Sequence, residues 1–274
     1  MRIGIHSSQR DQKELIRYCR DIGVSAVCLS CSAIEGYDEM GYPDLEALKV
    51  FKEKLEKAGI SLPAMIASKW PSQEVLLSRP GSEKELEVLC LTLETLGKAG
   101  IGTLLIYPEV ERPVSRLKEE ECWRGIERFY DALVESAERS HVKLANHAFY
   151  HPWKVIRNTE TLIRLLEENA SPYNGVAYCQ GLYQMGDSPY EAITIFGDKI
   201  FLAHARDLKK LRYPHWFEEV FPGEGDIDMP KTLRLLKAVG YEGIICPEHL
   251  GSPRTEEEDL QAKAVEYLRR IMRQ

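Results

Sequence analysis

The feature that most constrains this chain is a unit that recurs along it: a stretch with helical periodicity, a glycine, a short apolar run and a polar loop. Gly23, Gly59, Gly100, Gly197 and Gly240 stand where such helical stretches close, and an apolar run begins within a few residues of each. Glycine accepts the left-handed conformation that ends a helix, so the position of these residues marks boundaries. Eight apolar runs follow, at about residues 2–6, 25–30, 60–67 and 102–107, then Val142–His147, Gly175–Cys179, Lys199–His204 and Gly243–Glu248. Apolar residues at three and four spacing predict helices over Asp11–Ile22, Leu45–Ala58, Ser82–Ala99, Glu119–Ser140, Thr159–Glu168, Pro189–Phe196, Met229–Val239 and Thr255–Arg273. Ser82 with Glu85 has the pattern of a capping box. Strand and helix in alternation give a parallel sheet, and eight rounds predict an α/β fold closed into a (β/α)8 TIM barrel. No linker rich in Pro, Gly or Ser divides the chain, so residues 1–274 are expected to form a single barrel domain.

Composition narrows the function classes. The chain has 274 residues, 44% hydrophobic and 29% charged, enough to bury a large core. Its net charge of -7 argues against nucleic acid and against an anionic membrane surface, and leaves small molecules as the expected partners. Met1 to His6 passes directly into a strand-like run, so neither a signal peptide nor a membrane span is expected, and the cytoplasm is the expected compartment. Seven cysteines, at 19, 28, 31, 90, 122, 179 and 246, are an odd and scattered set, read as mostly reduced core residues. Cys28 and Cys31 have C-x-x-C spacing without a second pair, which disfavours a zinc or redox role. Gly223-Glu224-Gly225-Asp226 follows no strand and precedes no P-loop lysine, so it reads as a turn, with Asp226 or Asp228 capping the next helix.

Four residues that bind metals well stand at the last positions of the final four runs: His147, Cys179, His204 and Glu248. In a (β/α)8 barrel every strand delivers its C-terminal end to one rim, so distance in sequence is no bar to contact. Two neutral imidazoles, a thiolate and a carboxylate suit one divalent transition ion, and the two anionic ligands balance its charge. The thiolate favours zinc, iron or cobalt over magnesium. Each residue alone has an ordinary reading: a buried cysteine, a histidine satisfying a carbonyl, a glutamate capping a helix. Their common position at one rim favours the metal site.

Over its second half the chain resembles a family. His147-Ala148-Phe149-Tyr150 falls on a His-Pro-Asp-Asp stretch, Tyr178-Cys179-Gln180-Gly181 on Phe-Cys-Thr-Gly, and His204-Ala205-Arg206-Asp207 on His-x-Arg followed by Asn or Asp. Gly225-Asp226-Ile227-Asp228-Met229 falls on Gly-Asp-x-Asp-Met, and Pro247-Glu248-His249 on Pro-Asp-His. These stretches resemble the xylose isomerase-like barrels, and among them the mannonate dehydratases, metal-dependent lyases of sugar-acid catabolism. The resemblance implies that His147, Cys179, His204 and Glu248 are the metal ligands, that manganese is the ion, and that His249 is an acid/base. It implies a second catalytic tyrosine, for which Tyr150 and Tyr183 are candidates. Phe149 and Tyr150 replace the family's paired aspartates, and Glu248 replaces an aspartate.

The implied activity is elimination of water, or of another leaving group at the β position, from a sugar acid or oxidised sugar. Two alternatives stay open: a metal-dependent sugar or sugar-phosphate isomerase or epimerase, and a non-catalytic carbohydrate-binding barrel. Isomerases of the superfamily place carboxylates where this chain has Ala145 and Cys179, which weakens that alternative. Association into a homo-oligomer is compatible with either. Arg206 lies two residues beyond His204, on the same side of the strand, and is a candidate clamp for a substrate carboxylate, its ordinary role being an ion pair with Asp207 or Glu248. Lys209, Lys210 and Arg212 read as a solvated loop or as a patch that attracts an anionic sugar. His6, Lys69, Trp70, Tyr107, Glu109 and the His151-Pro152-Trp153 loop are also expected at the rim, with Trp70 either stacking on a sugar or simply packed.

Overall fold

The eightfold alternation appears as a barrel in the computed structural model, which describes residues 1–211, 217–252 and 259–273. Strands β1 (Arg2–Ile3) and β2 (Ile5–Ser7) flank Gly4, and β3 (Ala26–Ser30), β4 (Ser61–Ile66), β5 (Thr103–Ile106), β6 (Lys143–Asn146), β7 (Asn174–Cys179) and β8 (Ile200–Ala205) follow. A short arm of β9 (Asp207–Lys210) and β10 (Phe217–Val220) precedes β11 (Ile244–Pro247). The main sheet has the order β1-β11-β8-β7-β6-β5-β4-β3-β2 with parallel pairing throughout. The first apolar run is therefore one strand in two halves. Its first half pairs with β11 and its second with β3, so the sheet closes through Gly4. A Cβ at Gly4 would lie 3.1 Å from Ile244 Cδ1 and 3.2 Å from Cys246 Sγ, a tight approach that glycine avoids.

Side-chain alternation divides the core into two layers. On β3, Val27 and Leu29 join the shell packed between sheet and helices, while Ala26 and Cys28 join the barrel interior. That interior is filled largely by small residues, among them Ala64, Ala145 and Ala177, beside Leu105, Leu202 and Ile244. An eight-stranded barrel leaves room for side chains and no pore, so the functional groups must sit at its end.

Helix boundaries follow local chemistry. Gly23, Gly59, Gly100, Gly197 and Gly240 all have positive φ, as their positions predict. Asp11, Asn158 and Asp228 cap the helices Gln12–Asp21, Thr159–Glu168 and Met229–Ala238 through their side chains. The capping box expected at Ser82 does not form: Ser82 Oγ donates to Arg79 O, and Glu85 accepts from both the amide and the hydroxyl of Ser72 at 2.6 Å. Two donors on one residue outcompete a single amide. The last helix runs over Leu260–Ile271 behind the cap Asp259, and its expected start at Thr255 lies outside the described residues.

The basic stretch expected as a loop is instead the antiparallel β9–β10 arm, with Lys209 opposite Glu218 and Lys210 opposite Phe217. Cross-strand pairing of opposite charges stabilises an arm where a run of cations alone would repel. Arg212 lies outside the described residues. Among the described residues no helix is long and apolar enough to cross a membrane.

Gly125, in the middle of helix Arg116–Ser140, fastens this scaffold to the rim. Alanine normally improves a helix by about 1 kcal/mol over glycine. Here a Cβ would lie 2.8 Å from Leu77 Cα, just past the short rim helix Gln73–Leu76, and Ser78 Oγ donates to the Gly125 carbonyl at 3.0 Å. Contact with backbone outweighs propensity, so Gly125→Ala is expected to destabilise by about 1–3 kcal/mol. A lower urea midpoint at constant slope is the expected reading, and an equal or higher midpoint would count against it.

Candidate metal centre

Strand register brings the four donors together. Cys179, the last residue of β7, pairs with His204 on β8, and His204 pairs with Cys246 on β11. Glu248 follows β11 directly, its amide donating to Ala205 O at 3.2 Å. On β6 the side chain of Asn146 bonds Tyr130, Asn174 and the Gly175 carbonyl, on the helix side of the sheet. Alternation then turns the next residue, His147, to the mouth, with its amide on Ile106 O at 2.9 Å. One ligand atom from each of His147, Cys179, His204 and Glu248 lies within 4.8 Å of the other three.

These donors fit a cation better than they fit one another. Glu248 Oε2 is 3.0 Å from His204 Nδ1 and 3.4 Å from Cys179 Sγ, yet no ring nitrogen of His147 or His204 has an aligned hydrogen-bond partner. A buried polar atom left unpaired is costly. Donor atoms within 4.8 Å of one another, with His147 Nε2 3.9 Å from Glu248 Oε2, need only a small inward shift to share one ion at ligand bonds of about 2.0–2.3 Å. Electrostatics agree. Burial would raise the Glu248 carboxyl, but His204 and His147 outweigh it and hold it well below the usual carboxylate range. Burial lowers His147, opposed by Glu248, and so favours the neutral imidazole that binds metals. Burial, then the Glu248 charge, pushes the Cys179 thiol up, with Arg206 opposing. A dication is the group that would reverse that last shift, because it stabilises thiolate directly.

Around the cluster sits a second set of groups. His6, on β2, packs edge-on to His204 with ring centroids 4.7 Å apart, and burial followed by the His204 charge lowers it to about 3. Arg206 is 4% exposed and lies 3.9 Å from Cys179 Sγ. Its partner is neither Asp207 nor Glu248 but Glu219 on the β10 arm, bonded through Nε at 3.1 Å and through Nη2. His249 has a φ of 50° and a 47% exposed side chain, with Nδ1 3.6 Å from the same Glu219. Glu219 is the residue that sequence reasoning missed. Its signal was faint: one acid in a Phe-Glu-Glu-Val alternation after a segment read as a loop.

Tyr150 is not brought to the cluster in the way His249 is. Its hydroxyl lies 3.1 Å from Thr159 Oγ1 and its ring packs edge-on to Tyr183, itself buried against Tyr178. Those contacts bury the ring, while Tyr150 also lines a cavity of about 400 Å³ with Arg157, Asn158 and Gln184. Glu109 is tied to Lys154 at 2.7 Å. Aromatic rings line one side of the mouth: Trp70 stacks on Tyr107 at 4.7 Å, Tyr107 is 5.0 Å from the His147 ring, and Phe149 touches both His147 and Trp70.

Two sequence motifs prove to be supports. A Cβ at Gly181 would lie 2.8 Å from Arg206 Cγ, and one at Gly225 would collide with the Asp207 carboxylate. Asp207 accepts the amides of Gly223, Gly225 and Ile227, and Asp226 accepts that of Lys210, so the turn that sequence reasoning refused as a phosphate cradle is organised by buried carboxylate.

Comparison with known proteins places this geometry. The chain is 32% identical over 141 residues to a mannonate dehydratase of Oceanobacillus iheyensis, covering 48% of this chain and 40% of that relative. It thus spans less than half the length of the first curated relatives it matches. The mannonate dehydratase structure of Streptococcus suis serotype 2 superposes with a TM-score of 0.83 at 17% identity, over 99% of this chain and 93% of the other. A D-psicose 3-epimerase of Clostridium cellulolyticum H10 superposes with a TM-score of 0.76 at 14% identity, over 99% of both chains. At those identities the superpositions show a shared fold. The description "xylose isomerase-like TIM barrel" matches residues 8–271, which takes in every strand from β3 to β11. The chain belongs to the xylose isomerase-like TIM barrel family.

Proposed function

We propose that this chain is a metal-dependent carbon–oxygen lyase that eliminates water, or another leaving group at the β position, from a sugar acid or oxidised sugar. The observation that carries the reading is the convergence of His147, Cys179, His204 and Glu248 at one barrel rim. The mannonate dehydratase names of its relatives support the reaction class. The four residues would hold one divalent ion, which supplies a Lewis acid able to acidify the carbon beside a chelated carbonyl or carboxylate. Manganese is the ion by resemblance; the thiolate suits zinc, iron or cobalt equally.

His249 is the base. With Nδ1 toward Glu219, its Nε2 is left to take the proton from the activated carbon. As the carbon–carbon double bond forms and the β carbon–oxygen bond breaks, the same nitrogen returns that proton to the departing hydroxyl, releasing water. Arg206 bonds Glu219, which lies 3.6 Å from His249 Nδ1 and orients that ring, and its buried guanidinium beside Cys179 remains the candidate clamp for a substrate carboxylate. Epimerisation at carbon needs a second acid on the opposite face. Ala145 and Cys179, standing where isomerases of the superfamily carry carboxylates, favour elimination.

Freshly purified protein is expected to carry one equivalent of transition metal by elemental analysis, and Cys179→Ala to lose it; absence from both proteins overturns the reading. His249→Asn should keep its metal and lose roughly 100-fold or more in kcat. Mass spectrometry of the reaction is expected to show a product lighter by one water. A product of unchanged mass would make the chain an isomerase, and ligand-induced stabilisation without any product would make it a binding protein.

A further inference from the structure

A broad cavity lies beside the ion site, not on it. It has a volume of about 1000 Å³ and opens between the short helix Tyr37–Met40, the segment Ala67–Ser72 after β4, and the first turns of helix Glu83–Lys98. Both flanking segments follow strand C-terminal ends, so the groove is on the functional rim. Trp70 is its shared wall. It lines the groove, is 50% exposed, and stacks on Tyr107, whose ring in turn packs against His147. Two ring contacts therefore separate the groove from a metal ligand.

The lining selects a class of ligand. Trp70, Met40 and Val88 supply apolar surface, and Lys69, Lys84, Glu39 and Glu85 supply polar edges, the hydroxyls of Ser68 and Ser72 being engaged with Ser30 and Glu85. Charges of both signs balance: Asp38 pairs with Arg10 at 2.7 Å and Glu74 with Arg79 at 2.7 Å, which leaves two carboxylates against two ammonium groups. Such a lining attracts neither an anion nor a cation strongly. It suits a ring with an apolar face and polar edges, as a pyranose has, and an exposed indole face is a common seat for one. The volume is at the upper end of ligand pockets, well beyond what one sugar held at the ion would use.

We infer that this groove seats a second, uncharged pyranose ring, and that the substrate is a sugar acid or oxidised sugar bearing such a ring through a glycosidic bond. The inference rests on the proposed ion-dependent reading for the first ring. Trp70 is then a specificity residue: it walls the groove and accepts the neutral ring.

The test compares gluconate with cellobionate, the same acid carrying a glucosyl ring, by calorimetric titration of the ion-loaded protein. Cellobionate is expected to bind at least tenfold more tightly, about 1.4 kcal/mol. Val88→Trp, on the outer face of a helix, should fill the groove and erase that advantage while leaving gluconate affinity and metal content unchanged, and Trp70→Ala should reduce the advantage. Equal affinities, no binding of either acid, or an advantage that survives Val88→Trp overturns the groove. Cys179→Ala separates the two readings. Gluconate binding that persists in that variant without metal defeats the ion site alone, whereas the indole NMR signal of Trp70 should still shift with cellobionate if the groove is real.

Discussion

The register that sets Cys179 beside His204, and carries Glu248 one step beyond Pro247, is the constraint on which the rest of the rim depends. It places a carboxylate, a thiol and two imidazoles in a buried space where they satisfy one another poorly. Left to themselves such groups would drift to water. They remain because the strands beneath them are clamped by parallel pairing on both sides and by a shell of apolar side chains, neither of which can relax without opening the barrel. The stability of the core thus maintains a cluster that is locally unfavourable and chemically useful.

Support for that cluster comes from the groups packed around it. Asp207 takes three amides of one turn, and its placement requires glycine at 225; Arg206 lies along Gly181 and requires glycine there. The β9–β10 arm then delivers Glu219 to Arg206 and His249 at once. One carboxylate therefore connects the strand that carries His204 with the loop that carries His249. Opposite it, the aromatic wall of Trp70, Tyr107 and Phe149 gives the mouth an apolar side. The site is polarised, with charge and protons on the β8–β11 side and flat apolar surface on the β4–β6 side.

Much of this was legible in the chain. The barrel was readable because each unit announces itself locally, through glycine at helix ends and a change of hydrophobic period. The four donors were readable because each closes a strand and all strands of this fold end at one rim. Glu219 was not, because its neighbours looked like a solvated loop and only pairing with β9 reveals its direction. Ser82 misled for a similar reason: a local cap pattern lost to Ser72, ten residues earlier in the chain and near in space. The packing of Tyr150 against Tyr183 and its contact with Thr159 were not legible either, since both partners lie beyond its own loop.

Sequence by itself determined the period, order and ends of the elements, since those follow from backbone propensity and from side-chain spacing within a few residues. It also indicated which donor types meet at the rim, because in a parallel sheet every strand delivers its C-terminal end to the same side. Only the tertiary structure decided how those donors are backed: which carboxylate lies beside His249, what Arg206 touches, and which aromatic face borders the groove. Such pairings join residues whose separation along the chain carries no information about their distance in space. They are settled by the sub-ångström fit of packed side chains, to which a local pattern is blind.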